Sequence, residues 1–178
     1  MNDHSQSEPS LGDSLPEVRY SMQNVMAMQY WLAGRYAEGA AAARRALAIS
    51  SEATVSRAMT VETLAICLAG LGDVMGAAEA QREAAELIIR FEVRGSASET
   101  LVNFGRVAMV AGDEALAAAF VAAGRRLAAE LRLVVEDPLW DDPIYAALID
   151  GHPDAASSLD GLSWEEALRS AIAWRPPA

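Results

Sequence analysis

Few side chains in this sequence have the types and spacing that metal binding or catalysis requires. The best metal candidate is His152, which stands close to Asp150 and Asp154. A zinc site needs three or four such ligands. The trio lies in a Gly-Pro turn, and the single cysteine, Cys67, is distant in the sequence. We therefore predict that these groups serve as caps and turn charges, and that the chain binds no metal.

Other patterns resemble reactive motifs only superficially. The run from Gly70 to Gly76 is rich in glycine, but a phosphate-binding loop follows a strand, and this run joins two helical segments. No Gly-x-Ser-x-Gly nucleophile motif occurs. The neighbouring carboxylates Glu165 and Glu166 point in different directions on a helix. The sequence therefore predicts a protein that is not an enzyme and uses no cofactor.

The composition indicates a helical protein. Of the 178 residues 37 are alanine, the strongest helix former, and the net charge is -11. This charge disfavours nucleic-acid binding, because phosphates must be met by cations. No stretch supplies the roughly 20 apolar residues of a membrane span. We predict an all-α cytoplasmic protein without membrane contact, and we place its basic doublets, Arg44-Arg45 and Arg125-Arg126, on a solvated outer face.

Turn and capping signals divide the chain. We predict a flexible tail over 1–14, helical repeats over 15–134 and a C-terminal helical cap over 135–178. Capping boxes, in which Ser and Glu three residues apart satisfy free backbone groups, are predicted at Ser14, Ser96 and Ser163.

Three glycine turns mark an internal repeat. Gly34, Gly72 and Gly112 each separate two apolar helical segments, and the spacing is 38 and then 40 residues. Small residues recur at fixed distances from each glycine, which lets paired helices cross closely, while large residues fill the space between pairs. The apolar residues eight positions before the glycines are Met26, Leu64 and Phe104, and the small residues five positions after them are Gly39, Ala77 and Ala117.

This unit resembles the tetratricopeptide motif. The stretch from Leu32 to Gly39, followed by Arg45-Ala-Leu, looks like that motif, and so does Leu101-x-x-Phe-Gly-x-x-Ala followed by Gly112-Asp. The resemblance covers about residues 20–131. The units are longer than the 34 residues typical of the family and lack its proline. The resemblance implies a right-handed solenoid of three tetratricopeptide-like helix pairs.

Longer units of this kind are similar to the C-terminal sensor region of large ATPase/LuxR-type bacterial transcription regulators. The segment from Leu159 to Ala173 is similar to the closing segment of many such proteins. Those regulators also carry nucleotide-binding and DNA-binding domains, which this sequence lacks. What the resemblance implies is therefore the sensor or interaction part alone.

In such a solenoid the first helix of each pair lines a concave groove. Arg106 is the single cation of the groove positions, and we expect Glu62 to be its acceptor. The mostly apolar set suits an apolar helix, a peptide or a small organic ligand. Alternatively, Met28, Trp31 and Ile66 pack against the terminal helices. Carried over from the family, the groove positions are Asn24, Met28, Trp31, Glu62, Ile66, Ala69, Val102, Asn103, Arg106 and Met109.

These inferences predict a non-enzymatic module that binds a protein or peptide partner, with a regulatory or scaffold role in bacterial regulation. The alternative is a small-molecule-sensing regulatory domain. The first function requires an open groove and the second a closed pocket, and the sequence leaves both open. A homo-oligomer is compatible with either function.

Overall fold

The computed structural model describes residues 15–49, 53–133 and 142–177. Within these ranges 80% of the residues are helical and no strand occurs, which confirms the predicted all-α class. The predicted tail with Ser14, and the predicted boundary between 134 and 135, lie outside the described residues. In chain order the helices are α1 (Pro16–Leu32), α2 (Tyr36–Ile49), α3 (Val55–Gly70), α4 (Val74–Arg90), α5 (Arg94–Val110), α6 (Glu114–Leu131), α7 (Pro143–Gly151), α8 (Pro153–Ala156) and α9 (Trp164–Ala173).

The three glycine turns lie where the spacing predicts them. Gly34, Gly72 and Gly112 have φ angles of 70°, 78° and 78°, a conformation that glycine adopts without steric cost. Asp73 and Asp113 follow two of these glycines, and their side chains accept a backbone N–H in the first turn of α4 and α6. Each turn therefore ends one helix and starts its partner.

One predicted capping box is present and another is wrong. The Ser163 backbone N–H donates to Glu166 Oε2 at 2.8 Å, and the serine side chain accepts the Glu166 N–H in return. The box predicted at Ser96 does not form, because α5 already begins at Arg94. The turn before it instead places Glu92 in the left-handed region, with φ of 53°.

Consecutive helices from α1 to α8 pack against one another, as a helical repeat requires. The small crossing positions explain how closely the pairs approach. A Cβ added at Gly39 would lie 2.6 Å from Cys67 Sγ, and one added at Gly105 would collide with Val121. Ala77 and Ala117 are fully buried at the equivalent crossings.

Burial at one repeat position rises along the chain. Met26 is 37% exposed, Leu64 is half-buried and Phe104 is fully buried, although all three lie eight residues before a turn glycine. Phe104 packs against Phe120 with ring centroids 5.8 Å apart. Leu64 packs on buried alanines of α1 and α2, the preceding pair. Met26 has no preceding pair among the described residues, which accounts for its exposure.

The C-terminal helices cover α6, at the C-terminal end of the helix series. Helices α7 and α8 pack against α6, and α9 packs against α4, α5 and α6. Arg126 binds the carboxylate of Asp160 and donates to the Leu159 carbonyl at 2.8 Å, while the Arg125 guanidinium lies 5.5 Å from the Tyr145 ring centroid. The prediction that this doublet lies on a solvated face is wrong, because both arginines are half-buried, Arg125 against α7 and Arg126 against the turn between α8 and α9.

Candidate functional site

A groove of about 480 Å³ runs across the helices α1, α3 and α5. Its apolar side chains come from α1 and α3, and α5 adds polar ones. The lining residues are Met28, Trp31, Leu32, Met59, Glu62, Thr63, Ile66, Ser96, Glu99, Asn103 and Arg106.

The structure brings together six of the predicted groove residues and leaves out four. Asn24 lies at the α1–α3 contact, where its Oδ1 accepts from Thr60 Oγ1 at 2.9 Å. Met109 is half-buried against the main core, and Ala69 and Val102 are buried within it. The predicted positions that line the groove are Met28, Trp31, Glu62, Ile66, Asn103 and Arg106.

Glu62 is the buried acid of this groove, with only 7% of its surface exposed. Burial raises the pKa of its carboxyl to about 7, because a charged carboxylate is poorly solvated there. Hydrogen bonds to Thr100, Gln81 and Asn103 lower this pKa and so limit the rise, while the negative charge of Glu99 adds to it. Near neutral pH the groove therefore presents a carboxyl that can either donate or accept a hydrogen bond.

Gln81 supports this acid from α4. Its Nε2 donates to Glu62 Oε1 at 3.3 Å and to the Thr100 carbonyl at 3.2 Å. Its Oε1 is buried and has no hydrogen-bond partner among the described residues. A buried amide oxygen without a hydrogen-bond partner destabilises the folded state, because it loses its hydrogen bonds to water. The other contacts between α3, α4 and α5 must offset this cost.

Arg106 links the groove to the C-terminal helices. Its Nε donates to Tyr145 Oη at 2.6 Å and its Nη1 donates to Asn103 Oδ1 at 2.8 Å. Asn103 is also hydrogen bonded to Glu62, so it connects the arginine to the acid that we expect to be its acceptor. The guanidinium lies 6.0 Å from the centroid of Trp31, within the range of a cation–π interaction.

Sequence reasoning missed five groove residues: Leu32, Met59, Thr63, Ser96 and Glu99. Glu99 was not predicted as a groove residue because it was assigned to the capping box at Ser96. Since α5 starts at Arg94, both side chains lie inside the helix and line the groove instead. Met59 could have been found from its spacing, because residues three apart share one face of a helix and Glu62 was already placed there.

The remaining candidates for chemistry have structural surroundings. Cys67 is fully buried, and burial raises the pKa of its thiol to about 11, which leaves little reactive thiolate. His152 Nδ1 lies 3.2 Å from the Leu148 carbonyl, and its Nε2 lies 3.9 Å from Glu114. Among the described residues, no three His, Cys, Asp or Glu side chains are grouped as metal ligands.

Within the described ranges, each helix is too short or too polar to cross a bilayer. Neither a scan against protein-family models nor searches of curated proteins and solved structures returns a match to this chain.

Proposed function

We propose that this chain is a tetratricopeptide-type, right-handed stack of three helix pairs whose groove binds a segment of a partner protein, and that it acts as a regulatory or scaffold module in bacterial regulation. The observation that carries the proposal is the groove across α1, α3 and α5, in which apolar side chains adjoin a hydrogen-bonded polar cluster. Repeat stacks use such concave surfaces to bind partners.

The rim of the groove favours a polypeptide ligand. Leu32 and Met59 are each about half exposed, and Met28 is 37% exposed, although all three are large and apolar. Apolar groups on a rim become useful when another chain covers them, because burial then removes them from water. Methionine side chains also adapt to partners of varied shape.

The polar side of the groove favours a ligand with hydrogen-bond donors. Glu99 carries a negative charge, and Glu62 accepts or donates depending on its proton. The whole chain has a net charge of -11. A basic amphipathic segment would therefore be attracted over a distance and would place its apolar face on Met28, Trp31 and Met59.

Selection from a random-peptide library tests this function. The immobilised wild-type protein is used to enrich binders, and their affinities for the wild type and for Met59→Glu are then measured. We expect a consensus of spaced apolar residues with basic neighbours, bound at least about tenfold more weakly by Met59→Glu. The matched control is Met75→Glu, which changes an exposed methionine on α4 that does not line the groove. Equal loss in both variants would contradict a site in the groove.

A small-molecule sensor is the second candidate. The groove volume of about 480 Å³ lies within the usual range for small-ligand pockets, and Glu62 offers a buried polar anchor. A thermal-shift screen with an organic-compound library distinguishes the two functions. Stabilisation that Glu62→Gln abolishes, together with no enriched peptide, would favour the sensor over the partner-binding module.

A further inference from the structure

One face of α1 carries an exposed apolar stripe, of which only Leu32 also lines the groove. Its apolar members from Leu15 to Leu32 are 48% to 68% exposed, and Gln29 is exposed among them. Successive members are three or four residues apart, which is the heptad pattern of a helix that packs on another helix. The stripe consists of Leu15, Val18, Met22, Val25, Gln29 and Leu32.

The repeat shows what this face does in the other pairs. Twelve residues before the turn glycine, Met22 is about half exposed, whereas Thr60 and Thr100 are fully buried. Thr60 lies against α1, where Tyr20 Oη and the hydroxyl of Thr60 are 2.6 Å apart. The position thus packs on the preceding pair in the second and third units.

The same contrast recurs nine residues before each glycine. Val25 is 55% exposed, whereas Thr63 and Asn103 are 7% and 6% exposed. The covered positions are polar and the uncovered ones are apolar, which is the reverse of what a solvated end would need. Terminal units of repeat proteins ordinarily carry a polar outer face for solubility.

We propose that this stripe, Leu15 to Leu32 on α1, is the interface of a symmetric dimer in which the α1 helices of two copies pack against each other. A heptad stripe is self-complementary, so two copies bury the same patch on both sides. The only charged residues of α1 are Glu17 and Arg19, so the helix is formally neutral in a chain of charge -11 and two copies can approach here without strong repulsion. Gln29 supplies the single polar position that sets the register of such pairs.

The 14 residues that precede the stripe are a poor alternative cover. Their sequence holds only two large apolar side chains, Met1 and Leu11, and three acidic residues. They therefore lack a stripe that could match the six positions of α1. A second copy supplies that stripe in full.

Sedimentation equilibrium tests the dimer. We expect the wild type to have twice the 18.9 kDa mass of the chain, and Met22→Glu/Val25→Glu to sediment as a monomer. Placing charges inside an apolar seam should weaken the dimer by about a hundredfold or more. Both positions are exposed in the single chain, so the variant should keep its helical circular dichroism; Val25→Glu alone serves if the pair does not fold.

The matched control is Leu71→Glu/Met75→Glu, which places two charges four residues apart on another exposed apolar surface. This control should remain dimeric. Met22→Arg/Val25→Arg should be monomeric alone and should form a heterodimer when mixed with the glutamate variant, because opposite charges then meet in the seam.

Three outcomes would overturn the proposal. The first is a wild type that stays monomeric up to about 100 μM. The second is equal dissociation of the stripe and control variants, which would place the contact elsewhere. The third is a mixture of the two charge variants that stays monomeric.

Discussion

The two ends of the helical stack are completed differently. At the C-terminal end α6 is covered by α7, α8 and α9, and Trp174 Nε1 donates back to Asp113 Oδ2 at 3.3 Å. At the N-terminal end α1 presents a stripe whose apolar members remain 48% to 68% exposed. The two end helices α1 and α6 are almost equal in length, so the difference in their exposure comes from the helices that pack against them.

This contrast shows that burial in a repeat depends on the neighbouring pair more than on residue type. Met26, Leu64 and Phe104 are all large and apolar and hold one repeat position, but their exposure falls from 37% to zero along the chain. Met26, at the N-terminal end, has no such neighbouring pair among the described residues. Variants at the two ends and in the middle of the chain test whether burial depends on the neighbouring helices.

The largest effect should come from truncating the three residues of that repeat position. Phe104→Ala should lower the free energy of unfolding by about 3–5 kcal/mol, because the cavity forms in a closed core. Leu64→Ala should cost less, and Met26→Ala should cost less than about 1 kcal/mol. Urea unfolding followed by circular dichroism measures all three. Equal losses in the free energy of unfolding for Met26→Ala and Phe104→Ala would contradict the dependence of burial on the neighbouring helix pair.

Glu62 tests the middle of the stack through pH. Its pKa is raised to about 7 in the folded state, from about 4.3 in the unfolded chain. Between these values the folded state holds a proton that the unfolded state has released, so stability falls as the pH rises from about 4.3 to 7. The total fall from this group is about 4 kcal/mol.

Glu62→Gln should remove that fall. The variant should match the wild type at low pH and exceed its stability above pH 7, by up to about 4 kcal/mol. Urea unfolding at several pH values measures the difference between the two proteins, and Glu79→Gln, at an exposed position on α4, is the control that should keep the wild-type dependence. Parallel curves for the wild type and Glu62→Gln would contradict the burial of this acid.

Crossing positions should give a smaller effect. Ala77→Leu and Ala117→Leu should each cost about 1–3 kcal/mol, because the added side chain forces paired helices apart. Both alanines are fully buried, whereas Ala115 is exposed on the same turn of α6. Ala115→Leu should leave the melting temperature nearly unchanged. Unaltered melting of both buried variants would show that the helices cross elsewhere.

Much of the fold was predictable because local signals are strong here. The left-handed glycines, the aspartates that follow two of them and the capping box at Ser163 set helix ends that the structure confirms. The start of α5 was mispredicted because no capping side chain marks it; Val93 precedes the helix without a side-chain hydrogen bond.

The groove was less predictable because its lining depends on tertiary contacts. Spacing places Asn24 and Glu62 at one repeat position, but the first faces the α1–α3 contact and the second is covered by α4 and α5. Tyr145 could not be assigned to Arg106 from the sequence, since the two are 39 residues apart and meet only when α7 folds back.

The most direct test of the groove compares an arginine that lines it with an arginine that does not. A peptide from the library selection is titrated by calorimetry into the wild type, Arg106→Ala and Arg45→Ala. Arg106 lines the groove, whereas Arg45 lies on α2, exposed and hydrogen bonded to Gln23. Because Arg106 holds Asn103, and through it Glu62, in place on the polar side of the groove, we expect Arg106→Ala to weaken binding by more than about 1 kcal/mol, whereas Arg45→Ala should have little effect. Loss of binding in Arg45→Ala with full binding in Arg106→Ala would place the partner outside the groove and contradict the account.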